Sequence, residues 1–197
     1  MTSMVATRLL SVSAIALGIL FVMPTLAQDR SIDTAHSFLR VRVFKSGLFS
    51  AFAHDHEIQA PITAGTVRMG DNPSVTLQVH ARELRVLDPD ASADTRADVQ
   101  KTMEGSDVLD VNRFPEISFQ STEIQKKGEQ HWTVRGNLTL HGRTSAVDVD
   151  VVLRDGHFEG FAQLKQRNFG MTPVSIAGGT VKVKDEVLIE FTIVLQQ

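Results

Sequence analysis

No cysteine occurs among the 197 residues. That excludes a disulfide framework, a thiol nucleophile, a thiolate zinc site and a cysteine-ligated iron–sulfur cluster. Any metal site must be built from His, Asp or Glu. Tyrosine is also absent, so a cavity lined by this chain's side chains is short of hydrogen-bond donors. There is no basic block either: 20 Lys and Arg stand against 23 Asp and Glu, a formal charge of -3. Phosphate neutralisation requires clustered cations, so nucleic acid is not an expected partner. What the chain does have is a 42% apolar composition, which fits one globular domain.

The long apolar run comes first. Arg8 is the only charge in residues 1–27, and the 15 residues from Leu9 to Met23 are followed by Pro24, Thr25, Leu26 and Ala27. A positive start, an apolar stretch of this length and a small-residue end predict a secretory signal peptide over 1–27, cut after Ala27. The run is shorter than the roughly 20 residues that span a bilayer. The expected mature domain is 28–197, beginning at Gln28 with a net charge of -4, and its expected compartment is a bacterial periplasm.

Beyond residue 27 the hydrophobic period is two. Val187, Ile189, Phe191, Ile193 and Leu195 alternate with Glu190, Thr192 and other residues, the pattern of a half-buried strand. The same alternation runs through Leu39, Val41 and Val43; through Val75, Leu77 and Val79; and through Val147, Val149, Val151 and Leu153. Trp132, Val134, Leu138 and Leu140 repeat it, with shorter pieces at Ile117 and Phe119 and at Val181 and Val183. Turn punctuation falls between, at Asp71-Asn72-Pro73, Lys127-Gly128-Glu129, His141-Gly142, Asp155-Gly156 and Gly178-Gly179. One stretch, Asp94 to Leu109, lacks alternation and reads as a helix with Asp94 as its N-cap. About eight strands and one mid-chain helix make an all-β plan, either a closed antiparallel barrel or a sandwich.

Three segments carry a resemblance. Ile32-Asp33-Thr34-Ala35-His36-Ser37, the run from Gly105 to Thr122 that contains Asn112-Arg113-Phe114-Pro115-Glu116-Ile117, and Gly136-Asn137-Leu138-Thr139-Leu140-His141-Gly142 resemble, in the same order, motifs of the YceI family of polyisoprenoid-binding proteins. The resemblance implies an eight-stranded antiparallel lipocalin-like barrel with one short mid-chain helix. It also implies a long isoprenoid chain, on a quinone or a polyprenyl phosphate, held in the lumen. The residues themselves add only that an eight-stranded barrel is either filled or left open for one small ligand, and that a lumen of Val, Ile, Leu and Phe suits hydrocarbon.

The lumen candidates are Leu39, Val41, Val43, Leu77, Ile117, Phe119, Val149, Phe169, Ile189 and Phe191, for each of which plain core packing is the alternative. Phe169 and Met171, in the break Arg167 to Pro173, are placed to gate or plug it. Around the mouth, Arg42, His54 and His56 are candidate headgroup contacts. Residues 47–58 depart from the family pattern, and His54 and His56, two apart on a strand, share a face. Neutral imidazoles in that spacing suit zinc or copper, with His36 or Glu57 as a third ligand, although a structural zinc site needs four ligands and a catalytic one three. Asp148 and Asp150 point outward and read as a solvated edge.

These readings converge on a secreted protein that sequesters or carries an isoprenoid lipid, with no covalent step, no catalytic residues and no cofactor required. Transient contact with a membrane surface is compatible with that role. The alternative is a metal-binding protein or metal-dependent enzyme on the same barrel, using His36, His54 and His56.

Overall fold

The computed structural model describes residues 28–46, 55–176 and 181–196. Among them are twelve strands and one α-helix. The strands are β1 (Gln28–Ser31), β2 (Phe38–Ser46), β3 (His56–Ala60), β4 (Ala64–Met69), β5 (Ser74–His80), β6 (Arg85–Val86), β7 (Glu116–Gly128), β8 (His131–Leu140), β9 (Arg143–Arg154), β10 (His157–Lys165), β11 (Ser175–Ile176) and β12 (Val181–Ile193). The helix α1 spans Ala93–Glu104, between β6 and β7.

All twelve strands belong to one sheet, and every pairing is antiparallel. Eleven lie on a path β1-β4-β5-β7-β8-β9-β10-β12-β2-β3-β6, and β11 adds to β12. The sheet curls. Ile32, immediately after β1 at one edge, forms a bridge with Leu195, beyond the end of β12 far along the path. Eight strands are expected from the sequence pattern. The structure has more because β1, β6 and β11 are fragments of four, two and two residues, and because Pro61, which has no N–H for a ladder, opens the gap between β3 and β4.

Alternation sets the faces. Leu39, Val41 and Val43 on β2 face inward and lie opposite Phe191, Ile189 and Val187 on β12, while Arg40 and Arg42 lie opposite Glu190 and Leu188 on the outer face. Strand β7 carries an irregularity. Ser121 pairs with Gly136 and Glu123 with Arg135, so Thr122 is an extra residue, a β-bulge that inverts the strand's alternation. Ile117 and Phe119 face inward before it, and Ile124 and Lys126 after it.

The helix starts at Ser92, whose Oγ accepts from the Thr95 amide at 3.1 Å. Asp94 is in its first turn, not at its cap, and the helix ends at Glu104. Residues 105–111 continue as turns that bury Leu109 and Val111. With Met103 of α1 these side chains join Ile58, Val79, Leu84, Leu140, Leu164 and Met171 in the main apolar cluster. At roughly 1.5–3 kcal/mol for each fully buried aliphatic side chain, that burial fastens the helical segment across one end of the curled sheet. Two of the family-like motifs make a corner there: the Phe114 ring lies over Gly142, which has φ +68, and its edge meets the His141 ring at 4.8 Å.

Candidate functional site

The inner face of the sheet encloses a cavity of about 630 Å³, within the ~300–1,000 Å³ usual for ligand sites. One end is roofed by Met103, Leu109 and Met171, each less than a tenth exposed. The other opens between three hairpin tips that present Met69, Gly70 and Pro73, then Lys126 and Trp132, then Leu153 and Phe158. Trp132 and Phe158 meet edge to face at 6.2 Å there. From Trp132 to Leu140 on β8 the lumen is on the order of 20 Å deep, at ~3.3 Å per residue and a strand tilt of about 40°.

Its lining is aliphatic and aromatic. Among the described residues the charged and amide side chains in it are Arg68 and Lys126 at the open end and Gln166 at the roofed end. Arg68 is committed elsewhere, because its Nε and Nη2 donate to Asp29 at 2.6 and 2.9 Å, tying β4 to β1. The hydrogen bond from Arg68 holds the Asp29 carboxyl below the ordinary carboxylate value. Lys126 is exposed at the rim, opposite Trp132.

Leu39, Val41, Val43, Leu77, Ile117, Phe119, Val149, Ile189 and Phe191 all lie on the wall of this cavity. Phe169 does not. It is 0% exposed, packed behind the roof in the 3-10 turn Gln166–Phe169, whereas its neighbour Met171 faces the lumen. Arg42 is likewise misplaced by the sequence reading: it sits on the outer face, with Nε 2.7 Å from Glu190 Oε2 in a charge contact without hydrogen-bond alignment. His54 lies outside the described residues. His56 is at the roofed end, not at the mouth. Its Nδ1 is 2.7 Å from Asp88 Oδ2, and Asp88 Oδ1 accepts from the Glu57 amide at 2.8 Å. Asp88 is 4% exposed, with φ +25.

His36 is elsewhere again. Its Nδ1 is 2.8 Å from Asp33 Oδ2 in an exposed turn before β2, a contact that holds the Asp33 carboxyl low. His56 lies opposite Val43, while His36 lies beyond Leu39. Four residues of extended strand, ~13 Å, therefore separate the two levels before the turn is counted. Glu57, the other candidate ligand, bonds Arg40 on the outer face. The described residues contain no group of three or more His, Asp or Glu that could hold a metal. Asp148 and Asp150 face outward as expected, each paired across to β8: Asp148 with Arg135 and Asp150 with His131, both at 2.8 Å.

Sequence reasoning missed Ile124 and Lys126, which the bulge at Thr122 turns inward. It also missed Gln166, whose only signal was a polar residue directly after an apolar-alternating strand end. As a whole the site offers a dry, elongated enclosure with polar groups at its two ends, suited to removing hydrocarbon from water.

Residues 31–195 match the YceI-like domain. A UPF0312 protein of Pseudomonas aeruginosa is 30% identical over 177 residues, covering 82% of this chain and 86% of that one. One from Yersinia pestis is 29% identical over 160 residues, covering 74% and 77%. Among solved structures, BcnA of Burkholderia cenocepacia is similar with a TM-score of 0.66 at 19% identity, covering 84% of this chain and 99% of that one. A polyisoprenoid binding domain from Saccharophagus degradans, implicated in plant cell wall breakdown, gives 0.52 at 13% identity, covering 83% and 95%. At these identities the two structures speak to fold, and the lipocalin-like curl is common to them. The domain match and the sequence relatives together show that this chain belongs to the YceI-like family.

Proposed function

We propose that the protein binds an isoprenoid lipid, of the quinone or polyprenyl phosphate type, in the lumen of its curled sheet, and so sequesters or carries it through the periplasm. The observation that carries this reading is the cavity of about 630 Å³ whose walls are almost wholly apolar. Membership of the YceI-like family and likeness in fold to a solved polyisoprenoid binding domain support it. In this reading β3 and β4 act as one strand kinked at Pro61, so that with β2, β5, β7, β8, β9, β10 and β12 they make an eight-stranded barrel.

Partition is the mechanism. Each buried CH₂ contributes roughly 0.8 kcal/mol, so one five-carbon isoprene unit contributes about 3–4 kcal/mol before losses. A few enclosed units suffice for micromolar binding, about 8 kcal/mol, after the ordering entropy of the chain is subtracted. No catalytic step is part of the proposal.

The test is to recover the protein from the periplasm of its own host and analyse an organic extract by mass spectrometry. The expected outcome is a polypeptide that begins at Gln28 and carries close to one isoprenoid per chain. Recovery free of lipid, or with a non-isoprenoid lipid only, overturns the ligand assignment, and recovery of the Met1 form in membranes overturns the location.

A further inference from the structure

Among the described residues the roofed end of the lumen contains one polar side chain, and only one of its donor and acceptor positions is used. Gln166 is 6% exposed and lines the cavity where β10 gives way to the 3-10 turn. Its Nε2 donates to the Lys184 carbonyl at 2.8 Å, at the point where the register of β12 against β2 shifts between Val183 and Val187. That bond decides how the amide lies, because only the nitrogen can face a carbonyl. The amide oxygen is therefore turned away from β12, and among the described residues it accepts no hydrogen bond. Near Gln166 on the cavity wall are Leu164, two residues earlier, Val187, which pairs with Leu164, and Met171, whose amide donates to the Gln166 carbonyl.

The oxygen keeps accessible surface, since it is not among the buried side-chain atoms without a partner, and an acceptor facing an apolar lumen is unfavourable until a donor reaches it. We propose that Gln166 is a hydrogen-bonding subsite that takes an uncharged hydroxyl at one end of the bound lipid, so that the lipid enters polar end first. A hydroxyl can donate to Oε1 and also accept the second N–H of Nε2. A phosphate is disfavoured at this end, because among the described residues the charged side chains on the cavity wall, Arg68 and Lys126, are both at the mouth, and an unpaired charge is costly to bury. The inference rests on the lumen being the lipid site and selects a neutral over a phosphorylated ligand within it.

The probes are farnesol, its methyl ether, which cannot donate, farnesene, which has no oxygen, and farnesyl phosphate. Each is titrated against protein from which copurified lipid has been extracted. The expected result is that farnesol binds about tenfold more tightly than farnesene or the ether, the usual scale of one net hydrogen bond. In Gln166→Met farnesol and farnesene should bind alike, with farnesene as tight as in wild type. If that variant does not fold, the wild-type series decides alone. Equal binding of farnesol, the ether and farnesene by wild type means that water satisfies the amide and overturns the subsite while leaving the lumen reading intact. So does a preference for farnesyl phosphate, or a farnesol preference that survives in Gln166→Met. Failure of farnesene to bind wild type at all sinks the lumen reading itself.

Discussion

The ring of Phe119 on β7 lies over the bare backbone of Gly136 on β8, so close that a β-carbon at position 136 would overlap ring atoms Cζ and Cε2. The pairing is repeated on the other side of the lumen, where a β-carbon on Gly160 would meet Phe191 Cζ at 2.7 Å and also strike the Asp150 carbonyl. Both phenylalanines line the cavity and both glycines occupy inward positions of their strands. The missing side chains hold the aromatic rings against the wall, and the volume they leave is lumen.

Gly136→Ala should therefore drive the Phe119 ring into the cavity. Overpacking of this kind costs about 1–3 kcal/mol. Urea denaturation should show a loss in that range, and lipid per folded chain should fall with it. Unchanged loading would mean that the ring moves along the wall instead of into the lumen.

The inner and outer faces of β12 should respond in opposite ways. Phe191→Ala should keep the fold, lose less than the ~3–5 kcal/mol of a fully enclosed phenylalanine, and release lipid. Ile189→Asp places an unpaired carboxylate on the apolar wall and should abolish lipid retention while destabilising the sheet. Glu190→Ala removes only an exposed partner of Arg42, worth about 0–1 kcal/mol, and should leave loading alone. Equal lipid content in Phe191→Ala and Glu190→Ala would remove this face from the site.

Acid should act on the outer surface first. Hydrogen bonds from Arg135 and Arg68 hold Asp148 and Asp29 below the ordinary 3.8. A depressed carboxyl stabilises the fold at pH values above 3.8, and that contribution is lost as pH falls below 3.8 through the folded value. Both pairs are solvent-facing, so the effect should be small and weaken with salt. Carboxyl NMR titration should find both groups below 3.8 in wild type, with Asp148 alone returning to the ordinary range in Arg135→Ala. Normal titration of Asp148 in wild type would refute the pairing.

For His56 the expected role is mechanical. Its contact with buried Asp88, together with the Glu57 amide on the same carboxylate, ties β3 to the segment that leads into α1. His56→Ala leaves one buried Asp88 oxygen without its partner and should cost about 1–3 kcal/mol. Zinc and copper contents of wild type, His36→Ala and His56→Ala should be the same trace. A stoichiometric metal lost in either variant would reverse this assignment.

Period-two alternation made β2, β5, the first part of β7, β8, β9 and the main part of β12 legible, and with them nine of the ten proposed lumen residues sit on the cavity wall. Strands β4 and β10 were not legible, for a local reason. Gly65 and Gly160 stand where an apolar inward residue would announce the pattern, and Phe161, 47% exposed, points outward where a polar one would. The polar ends of the lumen were hidden more deeply. Alternation says which face a residue is on but not which end of a strand is roofed, so Arg42 and His56 were set at a mouth that Met69, Lys126 and Trp132 in fact frame. Phe169 illustrates the same limit: no period distinguishes a ring in the lumen from one behind its roof.

The extra residue at Thr122 means that β7 is written in two reading frames. Upstream, odd-numbered positions speak to the interior; downstream, even-numbered ones do. Pairing β7 without the bulge, with Thr122 retained opposite Arg135, would thus act as a frameshift of the wall. Against an unchanged β8, the segment 123–126 would present Glu123 and Gln125 to the hydrocarbon side and turn Ile124 and Lys126 to water. The bulge at this one position, more than the identity of the residue in it, keeps the rim of the mouth in phase with its floor.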